Sequence, residues 1–265
     1  MQPDLTGRVA FVTGATSGLG RHFALVLARA GASVAVAGRR AERLATLRSE
    51  IEKGGGKCVD VALDVMDAAQ IAPALDKAEA ALGPLDILVN NAGMSADGPI
   101  ADIATADFDA VMSTNVRGPF LLAQEYGRRL IARKRAGRII NIASIAAFRV
   151  LPGSAPYNIS KAAIAMMTQC MAREWARYDI NVNAICPGFI ETELNSDWFE
   201  SDKGKAHIKS FPKRRLQKAE DLDGMLLLLA SDASNAITGA LMNVDEAPSL
   251  YCVTSAAVLL VSAST

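Results

Sequence analysis

Seven short apolar, β-branched runs recur along this 265-residue chain, and all but the last precede a helical pattern. "RVAFVTG" (8–14) stands before a helix at about 19–30, and "ASVAVAG" (32–38) before "RRAERLATLRSEIEK". "KCVDVALDV" (57–65), "LDILVNNAG" (85–93) and "RIINIAS" (138–144) precede helices at about 67–82, 105–135 and 155–178. "INVNAICPG" (180–188) leads through a polar stretch to a helix near 219–231, and "ALMNVDE" (240–246) closes the series. Such alternation predicts a doubly wound α/β fold: about seven parallel strands with helices on both faces. The length suits one large domain, residues 1–265, since no linker, repeat or low-complexity tract divides it.

Composition excludes several function classes. Lys and Arg number 28, as do Asp and Glu, so no net field attracts nucleic acid or an anionic membrane. The basic run "RRLIARKRAGR" (128–138) reads as a solvated helix end, where cations suit the dipole. Cys58, Cys170, Cys186 and Cys252 lack CxxC spacing and read as free thiols in a reducing compartment. With only His22 and His207, no metal site is expected. "MQPDLTGRVAFVTG" does not read as a secretory signal, and "MLLLLA" and "AAVLLV" are too short to span a bilayer. The expectation is a cytoplasmic protein.

The first strand runs into "TGATSGLG" (13–20). Gly14, Gly18 and Gly20 permit a tight turn, let a pyrophosphate approach the backbone, and open a helix whose N-terminus favours anions. A glycine triplet alone is weak evidence, but here it occupies a strand-to-helix turn, the context such a motif demands. An acidic residue about 20 positions on would bind a ribose 2′-hydroxyl. The second strand ends instead in Gly38, Arg39, Arg40. A guanidinium at Arg39 suits a 2′-phosphate, which points to NADP(H) rather than NAD(H); Arg40 reads more as a solvent-facing helix residue.

In "SAPYNISKAA" (154–163), Tyr157 and Lys161 are four apart and share one face if helical. Free tyrosine titrates near pH 10. A neighbouring ammonium favours the phenolate and lowers that value, making Tyr157 a usable proton donor near neutrality. Ser144 ends its strand at the carboxyl edge of the sheet, where doubly wound folds bind ligands, and its hydroxyl could polarise the same substrate oxygen.

"TGATSGLG", "NNAG" (90–93), Ser144, "YNISK" (157–161) and "CPG" (186–188) stand in the order and spacing of the short-chain dehydrogenases/reductases. The chain resembles that family over about residues 5–250, the 3-oxoacyl-(acyl-carrier-protein) reductase-like members in particular. The resemblance implies a catalytic set of Ser144, Tyr157, Lys161 and Asn115. Lys161 would also hold the nicotinamide ribose, and Asn115 would anchor a water in a proton relay. It also implies a cofactor set: Gly14, Thr16, Ser17, Gly18, Leu19 and Gly20 in the loop, with Arg39, Asp64 and Val65. Asn91, Ala92 and Gly93 would line the adenosine ribose, and Pro187, Gly188, Ile190 and Thr192 would flank the nicotinamide. The implied reaction is hydride transfer between NADP(H) and a small-molecule carbonyl or secondary alcohol, such as a 3-oxoacyl thioester. Alternatives are an NAD-dependent polyol or secondary-alcohol dehydrogenase and a non-catalytic nucleotide sensor. A homo-oligomer, most commonly a tetramer, is implied as well.

Two stretches depart from a plain strand–helix series. Residues 189–219 are highly charged yet carry Trp198, Phe199 and Phe211, which reads as a substrate lid. "VDEAPSL" (244–250) replaces the family's frequent glycine pair after the aspartate, and the tail at about 247–265 is atypical.

Overall fold

The computed structural model describes residues 3–191 and 196–250. Seven parallel strands form one sheet: β1 Val9–Thr13, β2 Ser33–Gly38, β3 Cys58–Ala62, β4 Ile87–Asn90, β5 Gly137–Ile142, β6 Ile180–Pro187 and β7 Leu241–Val244. Their order across the sheet is β3-β2-β1-β4-β5-β6-β7. Helices α1 Gly18–Arg29, α2 Ala41–Lys53 and α3 Ala68–Leu82 follow the first three strands. Helices α4 Thr105–Met112 and α5 Gly118–Arg133 follow β4, and α6 Ala155–Trp175 follows β5. Two short helices, α7 Ser196–Glu200 and α8 Asp202–Ser210, and then α9 Asp223–Ala230, lie between β6 and β7.

Every residue of β1 is buried, as a strand covered on both faces requires. Ala10 and Val12 point to one face with Phe23, Leu27 and Leu47 of α1 and α2 and Leu226 and Leu229 of α9. Val9 and Phe11 point to the other with Leu75, Leu122, Tyr126 and Met171 of α3, α5 and α6. This period-two division is why the strands read as unbroken apolar runs rather than as alternating ones.

The expected helix at about 105–135 is interrupted: Ser113–Arg117 is one wide π-helical turn between α4 and α5, closed by Gly118 N–H donating to the Ser113 carbonyl. Within the charged stretch 189–219, α7 and α8 carry the aromatic residues Trp198 and Phe199 and lead to Phe211. The basic run is corrected too. Arg129 pairs with Glu79 (2.9 Å), Glu125 (2.9 Å) and Asp76 (2.8 Å), and Arg133 with Glu79. Arg135 pairs with Asp86 (2.8 Å) and Arg138 with Asp232 (2.9 Å). The charges tie α3, α5 and the strand starts together rather than facing only water. Thr192 and the segment from residue 251 to 265 fall outside the described residues.

The strand order reverses between β1 and β4, so the connections leaving these strands diverge. In doubly wound sheets the crevice this opens at the carboxyl ends is where ligands bind.

Candidate active site

Thr13, the last residue of β1, fixes the floor of that crevice. Its Oγ1 accepts the N–H groups of Asn91 (3.0 Å) and Ala92 (3.1 Å). Asn91 Nδ2 donates back to the Thr13 carbonyl (3.0 Å). Gly20 lies so close that an added Cβ would collide with the Asn91 amide and the Gly14 carbonyl. Only glycine lets α1 begin this near the sheet, with its N-terminus aimed into the crevice. Across the loop, Arg40 Nε and Nη2 donate to Thr16 Oγ1 (3.0 and 2.6 Å), and Nη2 also to Ser17 Oγ (2.7 Å).

Ser144 follows β5 and caps a 3₁₀ turn at Ile145–Ala147, its Oγ accepting the Ala146 N–H (3.1 Å). The Tyr157 phenol stands close enough to it for the Ser144 hydroxyl to act on the phenol's pKa. Tyr157 and Lys161 lie one turn apart on α6, with Lys161 Nζ 5.3 Å from the tyrosine ring centroid. Lys161 is 6% exposed and donates to the Ile142 carbonyl (2.8 Å). Burial without a carboxylate partner pulls its pKa down to about 8. Burial also pushes the Tyr157 phenol above its ordinary value, with the Ser144 hydroxyl opposing. This corrects the expectation that Lys161 lowers the tyrosine in the protein alone. The ammonium is itself desolvated and its proton is engaged by a carbonyl, so its pull on the phenol is weak.

Asn115 sits in the wide turn, fully buried. Its Nδ2 donates to the Met94 carbonyl (2.8 Å) and Ser160 Oγ (2.9 Å), and its Oδ1 accepts the Met94 N–H (2.8 Å). Ser160 Oγ in turn donates to the Tyr157 carbonyl (2.8 Å). A Cβ at Gly93 would lie 3.5 Å from Asn115 Oδ1 and 3.8 Å from Lys161 Nζ, so these segments converge. The result is a hydroxyl pair beside a buried ammonium at the carboxyl edge, which suits proton transfer to or from a bound oxygen.

Residues 8–203 match the family model described as short chain dehydrogenase. The chain belongs to the short-chain dehydrogenase family. Gluconate 5-dehydrogenase of Gluconobacter oxydans is 36% identical over 243 residues, covering 91% of this chain and 94% of that protein. The 3-oxoacyl-[acyl-carrier-protein] reductase FabG of Thermotoga maritima is also 36% identical, covering 91% and 97%. A gluconate 5-dehydrogenase from Burkholderia cenocepacia, crystallised with NADP and tartrate, superimposes with a TM-score of 0.90 at 36% identity, covering 94% of this chain and 98% of its own. The fold and the oxidoreductase class follow from this membership.

The other expected positions of this dehydrogenase are distributed as follows. Leu19, in the first turn of α1, packs against the core, and Val65 is buried under Gly118. Asp64 accepts the Met66 N–H (3.0 Å), which turns the chain after β3. Pro187 ends β6 at the crevice, Gly188 and Ile190 follow it, and Ile190 bridges to Gln217. Arg39 is exposed, and it is Arg40 that reaches the glycine loop.

Two groups, and the Phe189 and His207 members of a third, carry no mark in the sequence motifs. Ser160 looks like a filler inside "YNISK", yet it links Asn115 to the Tyr157 backbone. Asn90, Asn141 and Thr168 form a buried chain, Asn90 Nδ2 to Asn141 Oδ1 and Asn141 Nδ2 to Thr168 Oγ1, each 2.9 Å. Three polar residues on three buried elements were the available signal. Finally, Phe189 stacks on Phe211 (4.7 Å, 18°) and meets His207 edge-on (5.1 Å), and Trp198 also packs on His207 (5.5 Å).

Proposed function

We propose that this chain catalyses reversible hydride transfer between NADP(H) and a carbonyl or secondary alcohol, working as a single catalytic unit. The observation that carries the reading is the neighbouring Ser144 and Tyr157 hydroxyls beside Lys161, at the crevice where the strand order reverses. The crevice suits a dinucleotide phosphate: the α1 N-terminus, the close approach at Gly20, and the Arg40 guanidinium at the loop all favour an anion. NADP(H), when bound, supplies or accepts the hydride. Ser144 orients the substrate oxygen and Tyr157 gives or takes its proton. Lys161 holds the nicotinamide ribose, and Asn115 supports a water that relays protons from Lys161. Asn91–Gly93 line the adenosine ribose, Asp64 and Val65 meet the adenine, and Thr192 joins Pro187, Gly188 and Ile190 at the nicotinamide.

Gly38 offers no carboxylate to a 2′-hydroxyl, and Arg39 with Arg40 supplies two guanidinium groups for a 2′-phosphate. Each charge-assisted contact contributes about 1.5–3 kcal/mol, so NADPH should be preferred over NADH at least about tenfold. Single Arg39→Ala and Arg40→Ala variants assayed with both cofactors test this. Each should lose most of the preference by raising the NADPH KM, and the idea fails if both leave it intact. For the substrate, a 3-oxoacyl thioester is favoured because Phe148 and Val150, just past Ser144, expose apolar surface suited to an acyl chain. The relatives' names make sugar acids the competing class. A panel of 3-oxoacyl thioesters, simple ketones and keto-sugar acids with NADPH decides between them; no turnover on any member, with cofactor bound, would leave a sensor.

The exposed Ile159, Met166 and Cys170 form an apolar stripe along α6 that a second copy would cover. A homo-oligomer, with a tetramer the expected form, follows; light scattering that finds a monomer at micromolar concentration would exclude it.

A further inference from the structure

Beyond β7 the backbone enters a conformation that side-chain-bearing residues seldom adopt. Glu246 (φ 59°) and Ala247 (φ 76°) are both left-handed. Each such residue carries a strain of order 1 kcal/mol or more and persists only where its surroundings dictate it. Here they do. Asp245 Oδ1 accepts the Ala247 N–H (3.2 Å) and Oδ2 the Ser249 N–H (2.8 Å), bending the chain back on itself. The bend aims the Glu246 carboxylate at Lys213 (3.2 Å) and at Arg215, with which it is paired. Its side chain is only 11% exposed, so the carboxylate is held in one place while its two cationic partners reach it from the surface.

Lys213 and Arg215 belong to a strap, residues 211–217, that runs from the aromatic cluster to the end of β6. At its far end the buried Gln217 makes three links. Its N–H donates to the Phe189 carbonyl (2.9 Å), its Oε1 accepts the Gly188 N–H (3.2 Å), and its Nε2 donates to the Val244 carbonyl (2.7 Å). At the near end Phe211 stacks on Phe189. The turn between them, Pro187–Phe189, is thus held from the strap side by Gln217 and Phe211. From the other side Asp245 presses on it so closely that a Cβ at Gly188 would stand 2.9 Å from Asp245 Cα.

We infer that Glu246 and Gln217 are positioning residues forming a two-point clasp. The clasp fixes the strap, and through it the Pro187–Phe189 turn and the aromatic loop over the nicotinamide end of the site. The inference rests on the proposed NADP(H) reading for what the turn touches. It predicts a separation between the two ends of the cofactor: loosening the clasp weakens what binds at the turn after β6 and leaves the adenosine end, formed by the loops after β1 to β4, untouched.

The test uses the full chain as wild type, Glu246→Gln, Glu246→Gly and Gln217→Ala. Titration with NADPH and with 2′,5′-ADP, which lacks the nicotinamide half, reads the two ends. Trypsin cleavage after Lys203 and Lys205 without nucleotide reads the loop, and thermal unfolding reads the fold. Each variant should bind NADPH about threefold or more weakly, bind 2′,5′-ADP as wild type does, and be cut faster. Glu246→Gly is the discriminating variant, because it relieves the backbone strain and should unfold no earlier than wild type. If it binds NADPH and resists trypsin like wild type, the clasp is overturned and Glu246 is only a turn residue. Equal weakening toward NADPH and 2′,5′-ADP also overturns it. Should the wild type bind neither nucleotide, the NADP(H) reading falls, while the trypsin rates still decide the clasp.

Discussion

The two edges of the sheet carry buried polar groups of similar kind and opposite upkeep. At the amino edge, Asp86 accepts the Val9 N–H (2.9 Å) and pairs with Arg135, with Arg8 3.8 Å away. Arg138 pairs with Asp232 and donates to the Ser231 carbonyl (2.9 Å). Each buried charge there has its counter-charge. At the carboxyl edge, Lys161 donates to the neutral Ile142 carbonyl and has no carboxylate partner among the described residues, and its pKa is drawn down to about 8. Burial pushes the Tyr157 phenol up, with only the neutral Ser144 hydroxyl opposing. The amino edge is electrostatically complete and holds strands together. The carboxyl edge leaves an unmet demand for negative charge and for a polar oxygen, which is what a site for an anionic cofactor and a carbonyl needs.

Substitutions at the two edges should therefore have opposite signatures. The largest effect is expected from Tyr157→Phe: turnover of any accepted carbonyl should fall roughly 10²–10⁴-fold with little change in the unfolding midpoint. A drop of less than tenfold would remove Tyr157 from the proton-donor role. Next comes Lys161→Met, which should inactivate yet stabilise. Below pH 8 both folded and unfolded chains carry the Lys161 proton, and the folded one bears the full cost of burying it. Between about 8 and the ordinary lysine value near 10.4 only the unfolded chain keeps the proton, so the wild type gains stability as pH rises. The variant's advantage at pH 7, on the order of 2–4 kcal/mol, should shrink across that window; denaturant unfolding at pH 7 and 10 measures it.

Asp86→Ala should do the reverse of Lys161→Met. It strands the Val9 N–H and the Arg135 guanidinium, at a cost of about 1–3 kcal/mol, while activity per folded molecule stays level. Urea titration alongside an activity assay separates the two, and lost activity without lost stability would break the contrast between the edges. The smallest effect concerns His207, whose pKa is lowered by burial among the aromatic rings. The cluster's stability should be full above the ordinary imidazole value near 6.5 and decline as pH falls through it, since charging His207 is then resisted by the fold. In a Trp175→Phe background, Trp198 emission should follow that decline, and His207→Phe should flatten it.

What could be read from the sequence follows from where chemistry or backbone sterics leave few choices. The glycine loop and the Tyr157–Lys161 spacing were legible because only those residue types fit there, and the burial of β1 on both faces was legible in its unbroken apolar run. The pKa of Tyr157 was not, because a spacing of four does not say which neighbour takes the ammonium's proton. Nor was the choice between Arg39 and Arg40, since adjacent residues leaving a strand point to opposite sides and only the bend at Gly38 decides which meets Thr16. Gln217 and Glu246 were invisible for a different reason. Their partners lie 27 to 33 positions away across a loop, and nothing periodic marks such pairs.

The wide turn at Ser113–Arg117 has a consequence for which changes in chain length the fold can accept. It stores one residue more than a regular helix would between α4 and α5. Deleting a single codon there would let the helix wind regularly with α4 and α5 kept in place, whereas the same deletion inside α5 would rotate everything after it by about 100° and draw it back by about 1.5 Å. Leu122, Tyr126 and Leu130 would stay on the sheet, but Asn115 would lose its place beside Met94 and Ser160. In a library of single-codon deletions, the surface turns after α1 and α2 should tolerate the loss, these five codons should return folded survivors without activity, and codons inside α5 should return none.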